Sequence, residues 1–419
     1  MSAKPIPELG PDDSLSQACG ALENYIPLRN SELCKALRRE YTLEDARQRQ
    51  MGQLYDSLAA YFHVEHLSSL LRLEELYDPL DPDRDTQCEP LDDEELSTQS
   101  GMLFEELDKM FVSAHYFRLS RDQLDDAIQL HNRWGAKLMV NFDMFDRLAV
   151  YARGFRYVER SERPWWNWFR EVKGRVPEFQ RLVLAFKVQD VTKTKQDVDP
   201  NAVYLKTFKN IPEKEMEILL PGTRVRFSLL DTGMIIFPTL SGAAITYFKY
   251  LRIAAVLTIL TITGVWNYLL LAWALLLYAS KTYFNYFRTR DKYDSDLTRN
   301  LYMKNLDNNA GVLYRVFNEA EEQELCESIL GYTVLLQEAP DNGLTTRELD
   351  RKCERILKKH LGSDIDFDVS GSLAKLQRLG LAEQGSDERW TASHLDTASA
   401  RLALSWQDLF HRASAQKNL

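Results

Sequence analysis

The chain has no CxxC pair, and its five cysteines, Cys19, Cys34, Cys88, Cys326 and Cys353, are scattered through 419 residues. An odd, dispersed set builds neither a disulfide framework nor a zinc knuckle, so a reducing compartment is expected. GxxxxGKS/T, GxGxxG, GxSxG and HExxH are all missing. Nucleotide, α/β-hydrolase and zinc-protease chemistry therefore lose their usual support. The first residues, MSAKPIPELGPDDSLSQACG, put prolines and acids where an export signal needs a cationic start and an apolar stretch, and they lack the Arg-rich amphipathic start of a transit peptide. No cleaved leader is expected.

From Ile253 to Ser280, however, twenty-eight residues pass without a charge. A bilayer core needs about twenty apolar helical residues, so membrane insertion is the expectation, with the lipid bilayer as partner. Lys249 and Arg252 precede the run, and Lys281, Arg288, Arg290 and Lys292 follow it. A single crossing would put one cationic cluster on the far side, against the positive-inside tendency. A helical hairpin over 241–288, turning at Thr263, Gly264 and Asn267, avoids this, with Trp266 and Trp273 as interfacial rings. One long tilted helix is the alternative. Upstream, Trp165, Trp166 and Trp168 stand among Arg163, Arg170, Lys173 and Arg175. Indoles and cations together suit the headgroup layer, although packing against a soluble sheet with snorkelled arginines explains the same residues.

Charge divides the remainder. Glu74 to Asp108 holds fourteen Asp/Glu against one Arg, whereas Arg147 to Arg226 holds seventeen Lys/Arg against ten Asp/Glu. The basic stretch suits an anionic surface, or is simply a solvated face. Residues 1–20 read as a flexible lead and 21–145 as a helical region interrupted by an acidic loop at 77–99. Over 146–240 the period shifts to alternation in LAVYARGF, RLVLAFKV, AVYLKTF and RVRFSLL, which predicts a small antiparallel sheet. A helical connector at 289–340 and a final module at 341–419 complete the layout. The fold class expected is an α+β membrane protein with a helical N-terminal region, a small antiparallel sheet, a transmembrane helical hairpin and a C-terminal winged-helix-like module.

The connector carries the densest chemistry. In LYMKNLDNNAGVLYRVFNEAEEQELCESILGY, Asp and Asn can satisfy the orphan amides of a helix start. Beyond them, Leu313, Val316, Phe317 and Ala320 form one apolar face at helical spacing. Glu324 projects onto that face with Glu327 nearby, and Glu319, Glu321 and Glu322 spread around the rest. Carboxylates one turn apart can hold a divalent metal, or serve as acid and base, when neighbouring helices add ligands. His63 and His66, three apart in HVEH, could contribute; caps and ion pairs are the plainer account. His115 and His131 stand alone.

The same run resembles the hallmark of the domain-of-unknown-function 3754 family, which includes the mitochondrial transmembrane protein 143. YIPLRNSEL, VYARGF, KTFKNIPEKEMEILLPG and DFDVSGSLAKLQRLGLAE follow in the family's order, so the likeness extends from about Tyr25 to Trp406. It marks Asn305, Asp307, Asn308, Asn309, Gly311, Glu319, Glu321 and Glu324 as signature positions. The resemblance implies an integral membrane protein of a bacterial inner or mitochondrial membrane, and the hairpin would put its other parts on one side, cytoplasmic or matrix. It brings no catalytic residues and no cofactor.

In the final module, Thr345 and Glu348 form a capping-box pattern, Gly362 ends that helix, DVSGSLAKLQRLG supplies a second, and LAEQGSDERWTAS reads as a hairpin. This order suits a DNA reader or a protein-contact module. From Asp341 to His394 there are nine Lys/Arg and ten Asp/Glu, and the would-be recognition helix offers only Lys375 and Arg378. So little positive charge argues against nucleic acid and for a protein partner. The functional expectation is a membrane-anchored scaffold or adaptor without catalysis. The alternatives are a metal-dependent enzyme or sensor using Glu324, Glu327, His63 and His66, and a membrane-tethered DNA binder.

Overall fold

A computed structural model describes residues 24–85, 87, 91–121, 123–124, 136–139, 142–162, 172–189, 198–213, 216–220, 224–227, 302–339, 342–362 and 364–416, with scattered positions between 248 and 299. Three helices lead: α1 (Asn30–Glu40), α2 (Asp45–Tyr77) and α3 (Asp93–Ser113). Strands β1 (Phe117–Arg118), β2 (Ala136–Met139), β3 (Phe145–Glu162), β4 (Val172–Val188), β5 (Val203–Pro212), β6 (Arg224–Phe227) and β7 (Asn305–Asn308) come next. The long helix α4 (Ala310–Glu338) follows, then α5 (Thr346–Leu361), α6 (Val369–Arg378), β8 (Ala382–Gln384), β9 (Trp390–Ala392) and α7 (Leu395–Gln416).

Two compact units divide these elements. The larger gathers the described residues within 1–123, 143–213 and 306–419, the smaller those within 124–142 and 214–305. The architecture is α+β. In the larger unit the strand order is β1-β3-β4-β5-β7, and β1 through β5 run antiparallel along that order. Three of the alternating segments expected to be strands lie side by side there. The fourth, RVRF, instead pairs with β2 in a two-stranded ribbon of the smaller unit. Val183 and Ala185 of β4 face the helices, while Leu182, Leu184 and Phe186 on its other face are buried as well. A central strand covered on both sides loses the polar alternation of a half-exposed one, hence the unbroken LVLAF.

The acidic stretch is less irregular than its composition suggests. Asp92 Oδ1 accepts from the Glu95 amide at 2.8 Å, and Glu95 Oε2 accepts from the Asp92 amide at 3.1 Å, a capping box that opens α3 inside the segment expected as loop 77–99. Carboxylates there also meet the positive end of the helix dipole. At α5 the expected capping box is present: Glu348 donates its amide to Thr345 Oγ1 at 3.3 Å and accepts the Thr345 amide at 2.9 Å. Gly362 closes the helix at φ 71, a left-handed conformation that costs glycine little.

The expected transmembrane hairpin is not upheld, and the membrane part of the fold class with it. Among the described residues no helix is long and apolar enough to cross a membrane. The physical reason is charge. Helices α2 and α4, at 33 and 29 residues, have the length, but α2 carries Asp56, Glu65 and Arg72, and α4 carries Arg315 and a row of glutamates. Most of 241–288, including Lys249, Gly264 and Trp266, lies outside the described residues, as do Trp165, Trp166 and Trp168. Arg252, Trp273 and Lys281 are described and exposed.

Helix α4 is shared by two hydrophobic cores among the described residues of the larger unit. Its first half, with Val312, Leu313, Val316, Phe317 and Ala320, packs with α3, the C-terminal end of α2 and the sheet. Its second half, from Leu325 to Leu335, packs with α1, the start of α2, α5, α6 and α7. Replacing one such leucine with alanine costs about 2–5 kcal/mol. Gly331 lets α6 come close: a Cβ there would collide with Ser372 Oγ, which donates to the Glu327 carbonyl at 3.0 Å. Leu344 and Trp390 exchange backbone hydrogen bonds at 2.9 and 2.8 Å, an isolated bridge that ties the approach to α5 to β9. The second half of α4 is thus followed by a backbone bridge, two helices and a hairpin.

Candidate functional site

Two polar assemblies sit on α4. The helix starts at Asn309, a buried residue at φ 49 and ψ −126, a conformation that asparagine tolerates better than most residues. Its amide donates to the Leu205 carbonyl at 2.7 Å, its Oδ1 accepts from the Leu205 amide at 3.2 Å, and its Nδ2 donates to Asp83. This one side chain ties β5, the acidic loop and the helix together. Asn305, Asp307 and Asn308 lie on β7, and Gly311 is in the first turn of α4. The signature is thus first of all the joint between sheet and helix.

The first assembly is a chain of opposite charges. His63 Nδ1 lies 3.0 Å from Glu321, and His66 Nε2 lies 2.9 Å from Glu324, two rungs one turn apart between α2 and α4. From α6, Lys375 Nζ reaches Glu327 at 2.8 Å and Glu324 at 3.6 Å. Glu327 also holds His115, which follows α3. Arg378, one turn beyond Lys375, grips both carboxylate oxygens of Glu65 on α2. Burial pushes the Glu324 carboxyl up, but Lys375, His66 and Arg378 outweigh it and hold it down at about 2. Burial likewise opposes ionisation of Glu327, and Lys375 and His115 reverse it. Burial disfavours charged Lys375, yet Glu327 and Glu324 more than compensate, so its pKa is raised. Burial lowers His66, but its hydrogen bond to Glu324 together with the charges of Glu324 and Glu65 outweighs it, so His66 is raised too.

The second assembly lines a cleft of about 660 Å³ beside the first half of α4. Arg153 and Arg181 are directly opposed on β3 and β4, a like-charge pairing that destabilises a sheet unless neutralised. Glu319 answers both, 2.8 Å from Arg153 Nη2 and 3.5 Å from Arg181 Nε, and accepts the Tyr116 hydroxyl at 2.6 Å. The Arg153 guanidinium is 4.0 Å from the ring centroid of Tyr25 and 4.6 Å from that of Tyr116. Next to it, buried Gln323 copies a strand partner, accepting the Ile26 amide at 2.9 Å and donating to its carbonyl at 3.0 Å.

The structure therefore brings Glu324, Glu327 and His66 together, but with an ammonium between the carboxylates. Among the described residues, no group of three or more His, Cys, Asp or Glu side chains is placed to hold a metal ion. Several members of the site had no sequence signal. His115 stood alone, and Lys375 entered only as one of two cations on the would-be recognition helix. The opposed arginines could be found only from strand register, although one buried glutamate facing an arginine was foreseeable in kind. Cys34, Cys326 and Cys353 are free, and burial pushes their thiols up.

Fold and site together describe an α+β protein organised around one carboxylate-rich helix. Residues 145–311 match a family described as "Protein of unknown function (DUF3754)". The match runs from β3 to the first turn of α4, so it takes in Asn305, Asp307, Asn308, Asn309 and Gly311 and stops short of Glu319. No solved structure matches the chain.

Proposed function

We propose that this chain is a noncatalytic scaffold or adaptor that contacts a protein partner through its C-terminal module. One observation carries the reading: the ion cluster on α4 consumes the residues of both alternatives at once. A metal site would need Glu324 and Glu327 free, and Lys375 neutralises them. A DNA reader would need the cations of α6 free to face phosphates. Lys375 and Arg378 point instead into the protein's own carboxylates. The outward residues Arg347, Arg351 and Arg355 of α5 are exposed at helical spacing and supply a contact face for an acidic partner surface.

Calorimetry with zinc and magnesium, and retention of duplex DNA at low salt, test this. The scaffold reading expects neither signal. Saturable metal binding lost on Glu324→Gln, or salt-dependent duplex retention, would overturn it. A photo-reactive group at position 351 should crosslink the partner, and Arg355→Glu should abolish the crosslink. The free thiols fit a reducing compartment such as the bacterial cytoplasm or the mitochondrial matrix. Kinship with the mitochondrial transmembrane protein 143 is part of the same proposal and rests on the order of sequence pieces alone.

A further inference from the structure

We propose that the cleft beside the first half of α4 binds a small ligand through a phosphate-type oxyanion. Its volume, about 660 Å³, lies within the range of small-molecule sites. Its lining holds four arginines, Arg29, Arg153, Arg181 and Arg315, against three carboxylates, Asp307, Glu319 and Glu322, so one positive charge is left over. The Arg181 side chain keeps 30% of its surface open and, beside Glu319, donates its Nη1 to the Gln180 carbonyl at 3.1 Å. The guanidinium donors left facing water are the ones a bound oxygen would take up. Arg29 is exposed at the rim, with no side-chain partner among the described residues.

Arg181 and Arg29, lining one cleft, match the planar, two-point recognition of phosphate oxygens. Arg153, 3% exposed and held by Tyr25, Tyr116, Glu319 and its 3.0 Å bond to the Ala114 carbonyl, adds positive charge beneath them rather than a donor. The cleft is larger than a bare phosphate, and Glu322 and Asn318 in its lining offer acceptors for hydroxyl groups. A phosphate monoester of a hydroxylated molecule is the chemistry that fits. A lipid headgroup would present the same group.

The test uses the full chain, with inorganic pyrophosphate as probe and sodium chloride of equal ionic strength as control. Vesicles of phosphatidylcholine with and without phosphatidic acid form the second arm. Pyrophosphate should raise the melting temperature saturably, and Arg181→Gln and Arg29→Gln should each weaken the apparent affinity by about tenfold, the loss of one charge-assisted contact. Binding to phosphatidic acid vesicles that the same substitutions reduce, without a pyrophosphate response, would keep the oxyanion site and assign its source to lipid. No response in either arm, or a response that both variants retain in full, would overturn the proposal. Arg29→Gln keeps the outcome readable, because this exposed side chain holds nothing in the fold.

Discussion

Replacing Lys375 with methionine keeps the length of the side chain and removes its charge. The ammonium stands 2.8 Å from Glu327 and 3.6 Å from Glu324, and the Glu327 side chain is 1% exposed. His115 and His66 would remain, but two carboxylates would lose their strongest cation in a site that little water reaches. Breaking a buried pair in this way costs about 3–5 kcal/mol, against about 1 kcal/mol or less for a surface pair. The loss should depend on pH in a defined sense. In the native protein the Glu324 carboxyl is held at about 2, so its contribution is complete above the unfolded value of about 4.5 and is lost as pH falls toward 2. Without Lys375, burial is opposed only by His66 and Arg378, so that carboxyl moves upward, protonation relieves part of the strain and the deficit should be smaller at about pH 5 than at about pH 7. Urea unfolding followed by tryptophan fluorescence at both pH values measures it. A deficit under about 1 kcal/mol that does not change with pH would refute the cluster's role.

His66 has a raised pKa, so its contribution is fully present below the unfolded value of about 6.5 and is lost as pH rises through the folded value. The native protein should therefore gain stability from about pH 8 to pH 6 relative to His66→Gln, as read from unfolding midpoints. Gly331→Ala should destabilise by about 1–3 kcal/mol despite its better helix propensity, because its Cβ meets Ser372 Oγ; adding Ser372→Gly should restore most of the loss in the same unfolding assay. Asn309→Ala loses both side-chain bonds while keeping φ 49, and should cost about 2–3 kcal/mol by chemical denaturation. Asn309→Gly, free of the backbone strain, should cost less.

What the sequence reveals here depends on the range of the interaction. Capping boxes act over three residues, so Thr345 and Glu348 were readable, and the alternation in LAVYARGF and AVYLKTF located two strands of the sheet. The pairing of RVRF with β2 was not, because a four-residue strand carries no mark of its partner. Composition alone misled in two places. Acid density hid the start of α3, which a capping pair sets, and a charge-free run was read as a hairpin that no described helix bears out. The site depended on still longer range. His66 meets Glu324 across 258 residues of sequence, and Lys375 means opposite things on a surface and between two carboxylates. Only the packing of α6 on α4 decides which.

The helix that completes both cores also has a consequence for how the chain is made. Ile26, Leu33, Leu54 and Phe62 belong to a core closed by Leu325 to Leu335, so the ribosome releases the first partners long before the last. At about 5–20 residues per second the gap is on the order of tens of seconds. During that time α1 and α2 hold an apolar face with nothing to cover it. The nascent chain should thus be a client for chaperones until α4 has emerged, and a codon change that slows synthesis between residues 80 and 310 should lower the yield of folded protein without altering a single side chain.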